Sequence, residues 1–362
     1  MKFHLLFVGT KFIINESLRE YATRKIEQKV EFLSSVSYFK DGDNRLFLHL
    51  EKELHSDTRL FIVASKQNFT TVGKLLCTVT SDNQILKESM LIPSNAAIFE
   101  ERSYVIEHEQ SVVNVLQLDE QQEMPQILIE NESAKAMMHL FDEERESALA
   151  LLNPLAQMYD VALNVEKIVE GWLIVEAASK KYGDISKFLS AAKQLMPQKV
   201  IAAANIMAYI IDVLSRHSKK IAFAESCTGG LLSYYLTRNN GASKILEGSL
   251  VTYSNELKEN WLAVTHEALE SEGAVSAEVV KQMSEGVISV SHADYSISVS
   301  GIAGDGGGTE FKPVGTVYIG VRGPKGHKEV HLRLKGDRNY VQHQSVLYAV
   351  KMLLELDKDI FF

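Results

Sequence analysis

Apolar and polar positions along this chain follow two different periods, and the switches between them outline its elements. Phe3 to Val8 is an apolar run that predicts a strand. Glu16 to Leu33 carries apolar residues at helical spacing, Leu46 to Leu54 is amphipathic, and Arg59 to Ala64 predicts a second strand. This βαβ rhythm predicts a mainly parallel sheet with covering helices. From Glu107 to Ile129, short β-like runs are broken by acidic and Gln-rich stretches such as residues 119–123. Residues 133–199 read as a small α+β unit, with helices at Ala148 to Met158 and Ile185 to Leu195 and strands at Val161 to Val165 and Trp172 to Ala177. Pro197 and Gln198 mark a joint, and Ile201 to Leu214 predicts a strongly apolar helix that opens a last domain.

Length and composition fit this outline. The 362 residues suffice for two or three domains, read as 1–132, 133–199 and 200–362. Apolar residues make up 46% and charged residues 23%, an ordinary globular balance. The net charge of -9 argues against a general nucleic-acid binder, which needs a basic surface, but leaves room for a small anionic ligand held locally. Two cysteines, Cys77 and Cys227, imply no disulfide framework and a reducing compartment. The N-terminus lacks the long apolar core of a signal peptide, and no apolar run approaches the roughly 20 residues that span a bilayer. The expectation is a cytoplasmic protein without a membrane partner.

In the last domain, four strand ends carry polar residues that a core does not need. Lys220 to Phe223 predicts a strand and Leu231 to Leu236 a helix; between them lies Ala-Glu-Ser226-Cys227-Thr228-Gly229-Gly230. A helix start exposes unpaired N–H groups and the positive end of the helix dipole, a place for an anion or an activated hydroxyl. Taken alone, the segment is equally an ordinary capped helix. A second apolar strand ends at Tyr253, where Ser254 or Asn255 can cap a helix that carries Lys258 in its first turn. The dipole there disfavours the ammonium and lowers its pKa, which suits a general base. A third strand, from Tyr295, runs through Ser300 and Gly301 into a glycine-rich loop containing Gly304, Gly306, Gly307 and Gly308. Glycine lets backbone approach a ligand, but no P-loop ending follows. The fourth strand ends at Gly336-Asp337-Arg338, where an arginine can grip a phosphate.

Metal readings are poor: His327 and His331 lie four apart on a predicted strand, about 13 Å, too far to chelate one ion. A serine with a lysine base is the simpler reading, with Ser226 as nucleophile and Lys258 as base; Thr228 is an alternative hydroxyl.

Together, AESCTGG at 224–230, VTYSNELK at 251–258, GAVS at 273–276, the glycine loop at 300–320 and GDR at 336–338 closely resemble the C-terminal domain of the CinA family (competence/damage-inducible protein). The resemblance implies an α/β fold, with a C-terminal three-layer αβα sandwich. It implies a nicotinamide-nucleotide amidase that converts nicotinamide mononucleotide and water to nicotinate mononucleotide and ammonia, without a metal or other cofactor. It further implies a homodimer. By position, Ser226 matches the family nucleophile, Lys258 its base and Tyr253 the tyrosine beside it. Ser243 matches a serine lining the site, which makes it a further alternative hydroxyl; Ser300 matches a Ser/Thr position, and Arg338 the arginine of GDR. The amides of Cys227 to Gly230 are candidate oxyanion donors, and the glycine loop with Arg338 is a candidate cradle for the 5′-phosphate.

Two positions depart from the family pattern: Asp305 stands where a proline is common, and Gln342 where a second arginine is common. These favour the alternative of a weak or inactive nucleotide-binding or assembly protein. The N-terminal part resembles, more faintly, the molybdopterin-binding-like domain of full-length members, through residues 7–10 and 41–44. The family's GGLGPTxDD phosphate and metal motif is absent at 64–73, so this domain is expected to be degenerate.

Overall fold

The computed structural model describes residues 2–30, 33–130, 135–304 and 306–362. The chain divides into two compact units, residues 1–132 and 133–362. In the first unit, β1 (Lys2–Val8), α1 (Thr10–Ile14), α2 (Glu16–Val30), β2 (Ser35–Phe39), α3 (Arg45–Leu54), β3 (Thr58–Ala64) and α4 (Lys66–Thr80) follow in order. After them come β4 (Gln84–Lys87), β5 (Met90–Pro93), β6 (Ile98–Glu100), β7 (Ser103–His108) and β8 (Ser111–Gln117). The main sheet has the order β2-β1-β3-β8-β7-β6; β2, β1, β3 and β8 are parallel, while β7 and β6 form an antiparallel edge. β1 and β3 are apolar on both faces because both faces are covered. Leu5 and Phe7 meet Phe12, Leu18 and Ile26 on one side, and Leu6 and Ile62 meet Leu46, Leu50 and Val72 on the other.

The helix expected from Glu16 to Leu33 is observed to Val30; Glu31 and Phe32 lie outside the described residues. α4, which has no counterpart among the expected elements, buries Phe69, Val72 and Leu76, spaced three and four apart.

In the second unit, β9 (Lys135–Phe141), α5 (Arg145–Met158), β10 (Val161–Val169), β11 (Trp172–Ser179), α6 (Ile185–Leu195) and β12 (Val200–Ile201) form a four-stranded sheet, order β10-β11-β9-β12, backed by two helices. Its other face shares a core with the C-terminal part of the unit, for Phe141, Val169 and Trp172 enter the same cluster as Met207 and Ile210. The apolar helix expected from Ile201 begins later, as α7 (Ile206–Arg216). Val200 and Ile201 pair with β9 instead, and the Asn205 side chain accepts from the amides of Met207 and Ala208, fixing the helix start.

The rest is β13 (Ile221–Glu225), α8 (Leu231–Thr237), a short 3-10 turn (Ala242–Lys244), β14 (Leu246–Val251), α9 (Asn255–Leu262), α10 (His266–Ser271), α11 (Ala277–Ser291), β15 (Tyr295–Gly301), β16 (Thr316–Gly323), β17 (Gly326–Arg333), α12 (Arg338–Leu356) and α13 (Lys358–Phe361). The sheet order is β14-β13-β15-β16-β17, with the first three strands parallel and the last two antiparallel. Leu214, Leu232, Val346 and Leu353 cover one face, and Leu262, Val279, Met283 and Val287 cover the other, so the domain is a three-layer αβα sandwich. His327 and His331 lie on the extended strand β17, as expected. No described helix is long and apolar enough to cross a membrane.

Candidate active site

The parallel strands β13, β14 and β15 end side by side, which brings together the turns that come after them. The turn after β13 holds Ser226, and the helix after β14 holds Lys258. Lys258 is 1% exposed, and its Nζ lies 3.1 Å from Ser226 Oγ, 2.7 Å from the Thr252 carbonyl oxygen and 3.3 Å from that of Tyr253. The Ser254 side chain caps α9 by accepting from the Leu257 amide, which sets the helix phase and aims the lysine inward.

A neutral amine has two N–H bonds and one lone pair. With both N–H bonds given to the two carbonyls, the lone pair is left for the Ser226 hydroxyl, which then donates to the amine. Protonated, Lys258 donates to all three oxygens. Burial pushes its pKa down from 10.5 to about 8, so both forms are accessible near neutrality. Burial, rather than position at a helix start, is the main cause. An activity that uses the neutral amine should rise about tenfold per unit below pH 8 and level off above it, a slope measurable as the pH profile of kcat/KM. A flat profile from pH 6 to 9 would count against this base.

Among the three candidate hydroxyls, only Ser226 has a base within reach. Thr228 is 3% exposed, and its Oγ1 has no hydrogen-bond partner among the described residues. Ser243 is not in the site within this chain. It precedes β14, whereas Ser226 follows β13, and the two strands run parallel from Ile221/Leu246 to Glu225/Val251. The two serines therefore sit at opposite ends of the sheet, separated by roughly five strand residues, or about 16 Å.

Ser300 is likewise reassigned. Strand alternation puts Ser296, Ser298 and Ser300 on one face of β15, where each hydroxyl donates to a carbonyl of the packed layer: Ser284, Val280 and Ala274, the last at 2.7 Å. Ser300 braces the sheet rather than facing a ligand.

Gly229 and Gly230 have φ of 60° and 100°, the left-handed region that favours glycine, and this lets the chain turn from β13 into α8. The expected set of oxyanion donors is smaller than Cys227 to Gly230. The Gly229 amide donates to the Ser226 carbonyl, and the Gly230 amide donates to the Glu225 carboxylate. Those of Cys227 and Thr228 donate to no other described residue, the Cys227 amide lying against its own thiol, so these two are the donors left in the turn. The Cys227 thiol is pushed up to about 12 by burial, which removes it as a competing nucleophile.

Two positioning residues were not recognised in the sequence. Glu225 is fully buried; its carboxylate accepts from the amides of Gly230, Leu232 and Ser233, each at 3.0 Å, and from Ser249 Oγ at 2.9 Å. It thus fills the α8 N-terminus with a fixed anion. A charged residue within an apolar strand run was the available signal. Gln342 Nε2 donates to the Cys227 carbonyl at 2.6 Å, so the position that departs from the family arginine holds the turn that carries Ser226.

A pocket of about 320 Å³ opens beside the turn, lined by Cys227, Tyr253, the glycine-loop residues Gly301, Gly304, Gly306 and Gly307, and Arg338. Tyr253 is 62% exposed, lines this pocket and accepts from Lys258 with its carbonyl. Arg338 opens α12, where the Asp337 side chain caps the helix by accepting from the Tyr340 amide. Its guanidinium lies so close to Gly304 that a β-carbon there would sit 2.6 Å from Nε. Arg338 forms no ion pair with a described residue, while Asp305 lies outside the described residues.

A second cleft, about 420 Å³, lies at the strand ends of the N-terminal unit, lined by Lys11, Asp41, Ser65, Lys66, Gln67 and Asp119. Lys11 pairs there with Asp119 and Glu120, and the Asp119 carboxylate accepts from the Lys66 amide at the start of α4. That helix terminus is filled by the protein's own anion.

Comparison with known proteins places this site in context. Residues 203–356 match the CinA C-terminal domain. A CinA-like protein of Dictyoglomus thermophilum is 40% identical over 196 residues, covering 54% of this chain and 44% of that protein. A CinA-like protein of Petrotoga mobilis is 32% identical over 228 residues, 63% of this chain and 56% of that protein. The chain thus spans about half the length of the curated relatives it matches. The crystal structure of the competence/damage inducible protein CihA from Agrobacterium tumefaciens aligns with a TM-score of 0.41 at 34% identity, covering 42% of this chain and 93% of that one.

Proposed function

The chain carries a CinA C-terminal domain over residues 203–356 and belongs to the CinA family, and from this premise we propose that it is a nicotinamide-nucleotide amidase acting on nicotinamide mononucleotide. The observation that carries the reading is the buried Lys258 amine 3.1 Å from Ser226 Oγ beside an open pocket.

Ser226 Oγ attacks the carboxamide carbon while its proton passes to Lys258. The oxyanion of the tetrahedral intermediate is met by the Cys227 and Thr228 amides. Lys258 then gives its proton to the departing nitrogen, and ammonia leaves. Water, deprotonated by the same amine, cleaves the ester to nicotinate mononucleotide and regenerates Ser226. No step needs a metal. The test is ammonia release from nicotinamide mononucleotide: the parent turns over and Ser226→Ala does not. Equal rates in the two would refute the reading, and tight binding without product would leave the alternative of a silent nucleotide-binding protein.

Arg338 is the cation placed to take the 5′-phosphate across the pocket. A charge-assisted contact contributes about 1.5–3 kcal/mol when well formed. Because Arg338 is exposed, the lower end applies, and Arg338→Ala should raise KM roughly tenfold with little change in kcat. The same variant should handle the phosphate-free nucleoside as the parent does.

A further inference from the structure

On the first unit, away from the strand ends that form its cleft, two histidines and a glutamate distant in sequence converge. His55 follows α3, His108 ends β7, and Glu109 begins the tight turn into β8. One candidate ligand atom from each of the three lies within 4.8 Å of the others. His55 Nδ1 is 3.0 Å from Glu109 Oε1, and His108 Nε2 is 4.0 Å from the same oxygen. The imidazole rings pack edge to face with centroids 5.6 Å apart.

The backbone beneath them is fixed. Ser111, 1% exposed, places its Oγ 2.9 Å from both the Leu54 and the His108 carbonyl oxygens and shares its single hydroxyl proton between them, which ties together the segments that carry the two histidines. The hairpin pairs His108 with Ser111, leaving Glu109 and Gln110 as a two-residue turn. Glu109 has a φ of 52°, a left-handed conformation that is unfavourable for a glutamate and that this turn requires. The Gln110 carbonyl accepts from Arg59 at 2.9 Å, which restrains the turn from its other side.

We infer that His55, His108 and Glu109 form a binding site for a late first-row divalent cation, Zn²⁺ in the first instance. Two imidazoles and one carboxylate are a donor set suited to that class, and water completes the coordination. Ligand atoms around a tetrahedral zinc lie roughly 3.4 Å apart, from bond lengths of about 2.0–2.1 Å. The observed separations bracket that value, and His55 and Glu109 are half-exposed, so their side chains can close on an ion without moving the backbone. The ion would clip the end of α3 to the β7–β8 hairpin, a link between segments some fifty residues apart. This is independent of the amidase reading, because it uses none of the same residues.

The test uses the full chain, stripped with a chelator and titrated with zinc chloride by calorimetry, with Co²⁺ absorption as a reporter of coordination. One equivalent should bind and raise the melting temperature. Loss of an outer hydrogen bond at a zinc site costs roughly 10–100-fold in affinity, so removing a direct ligand in His55→Ala or His108→Ala should cost at least that, with Glu109→Gln weakening it too. Circular dichroism would establish that these surface variants stay folded. Absence of stoichiometric binding by the parent, or unchanged affinity in the His55→Ala/His108→Ala double variant, would overturn the inference.

Discussion

Lys258→Met is expected to lower turnover of nicotinamide mononucleotide by about 10³-fold while making the protein more stable at pH 7. Loss of a positioned base costs roughly 10²–10⁴-fold, or about 3–5 kcal/mol of activation free energy. Stability moves the other way because the amine is held in a poor place for a charge. Its pKa falls from 10.5 to about 8 on burial, so folding disfavours the proton it carries at pH 7. The folded value lies below the unfolded one; the stability linked to this group is therefore complete above pH 10.5 and lost as pH falls through 8. Methionine has no proton to lose. The variant should exceed the parent by roughly 1–3 kcal/mol at pH 7, after allowing for the carbonyls of Thr252 and Tyr253 left without a donor, and the gap should narrow toward pH 10. Chemical denaturation at the two pH values measures it. A destabilised variant at pH 7 would mean that Lys258 serves the fold rather than being held against it.

Glu225→Ala should have the largest effect on stability, about 3–5 kcal/mol, because it strands the buried Leu232 amide together with the part-buried amides of Gly230 and Ser233 and the Ser249 hydroxyl. Activity should fall with it, since the turn carrying Ser226 loses the anchor at the start of α8. Glu225→Gln separates the two roles. It keeps shape and one acceptor oxygen but turns an NH₂ toward N–H donors, so it should recover part of the stability and little of the activity. Thermal melts together with single-turnover ammonia release distinguish these outcomes. A Glu225→Gln variant with full activity would show that the carboxylate merely fills space.

Much of the site was legible because its pieces are contiguous. Ser226, Tyr253, Lys258 and Arg338 sit in short segments whose strand-to-helix switches follow from hydrophobic periodicity, and parallel strands gather such switches at one sheet end. The limits have physical causes. Ser243 was carried over by position, and strand direction, which places it at the far end of the sheet, is not written in its neighbours. Ser300 belongs to an alternating serine row whose face is chosen by α11 and the segment leading into it, which pack on β15 from other parts of the chain. Gln342 looked like a missing cation because the Cys227 carbonyl it serves lies 115 residues away. The β9–β12 pairing and the later start of α7 also depended on a partner strand, which local apolar spacing does not report.

By itself the sequence determined the element rhythm, the polar strand ends and the candidate pairing of Ser226 with Lys258, since these depend on local spacing and residue type. Tertiary structure alone decided which hydroxyl meets the amine, which amides of the Ser226 turn stay open and how far the amine's pKa falls. Those properties arise from burial and from contacts between segments far apart in the chain.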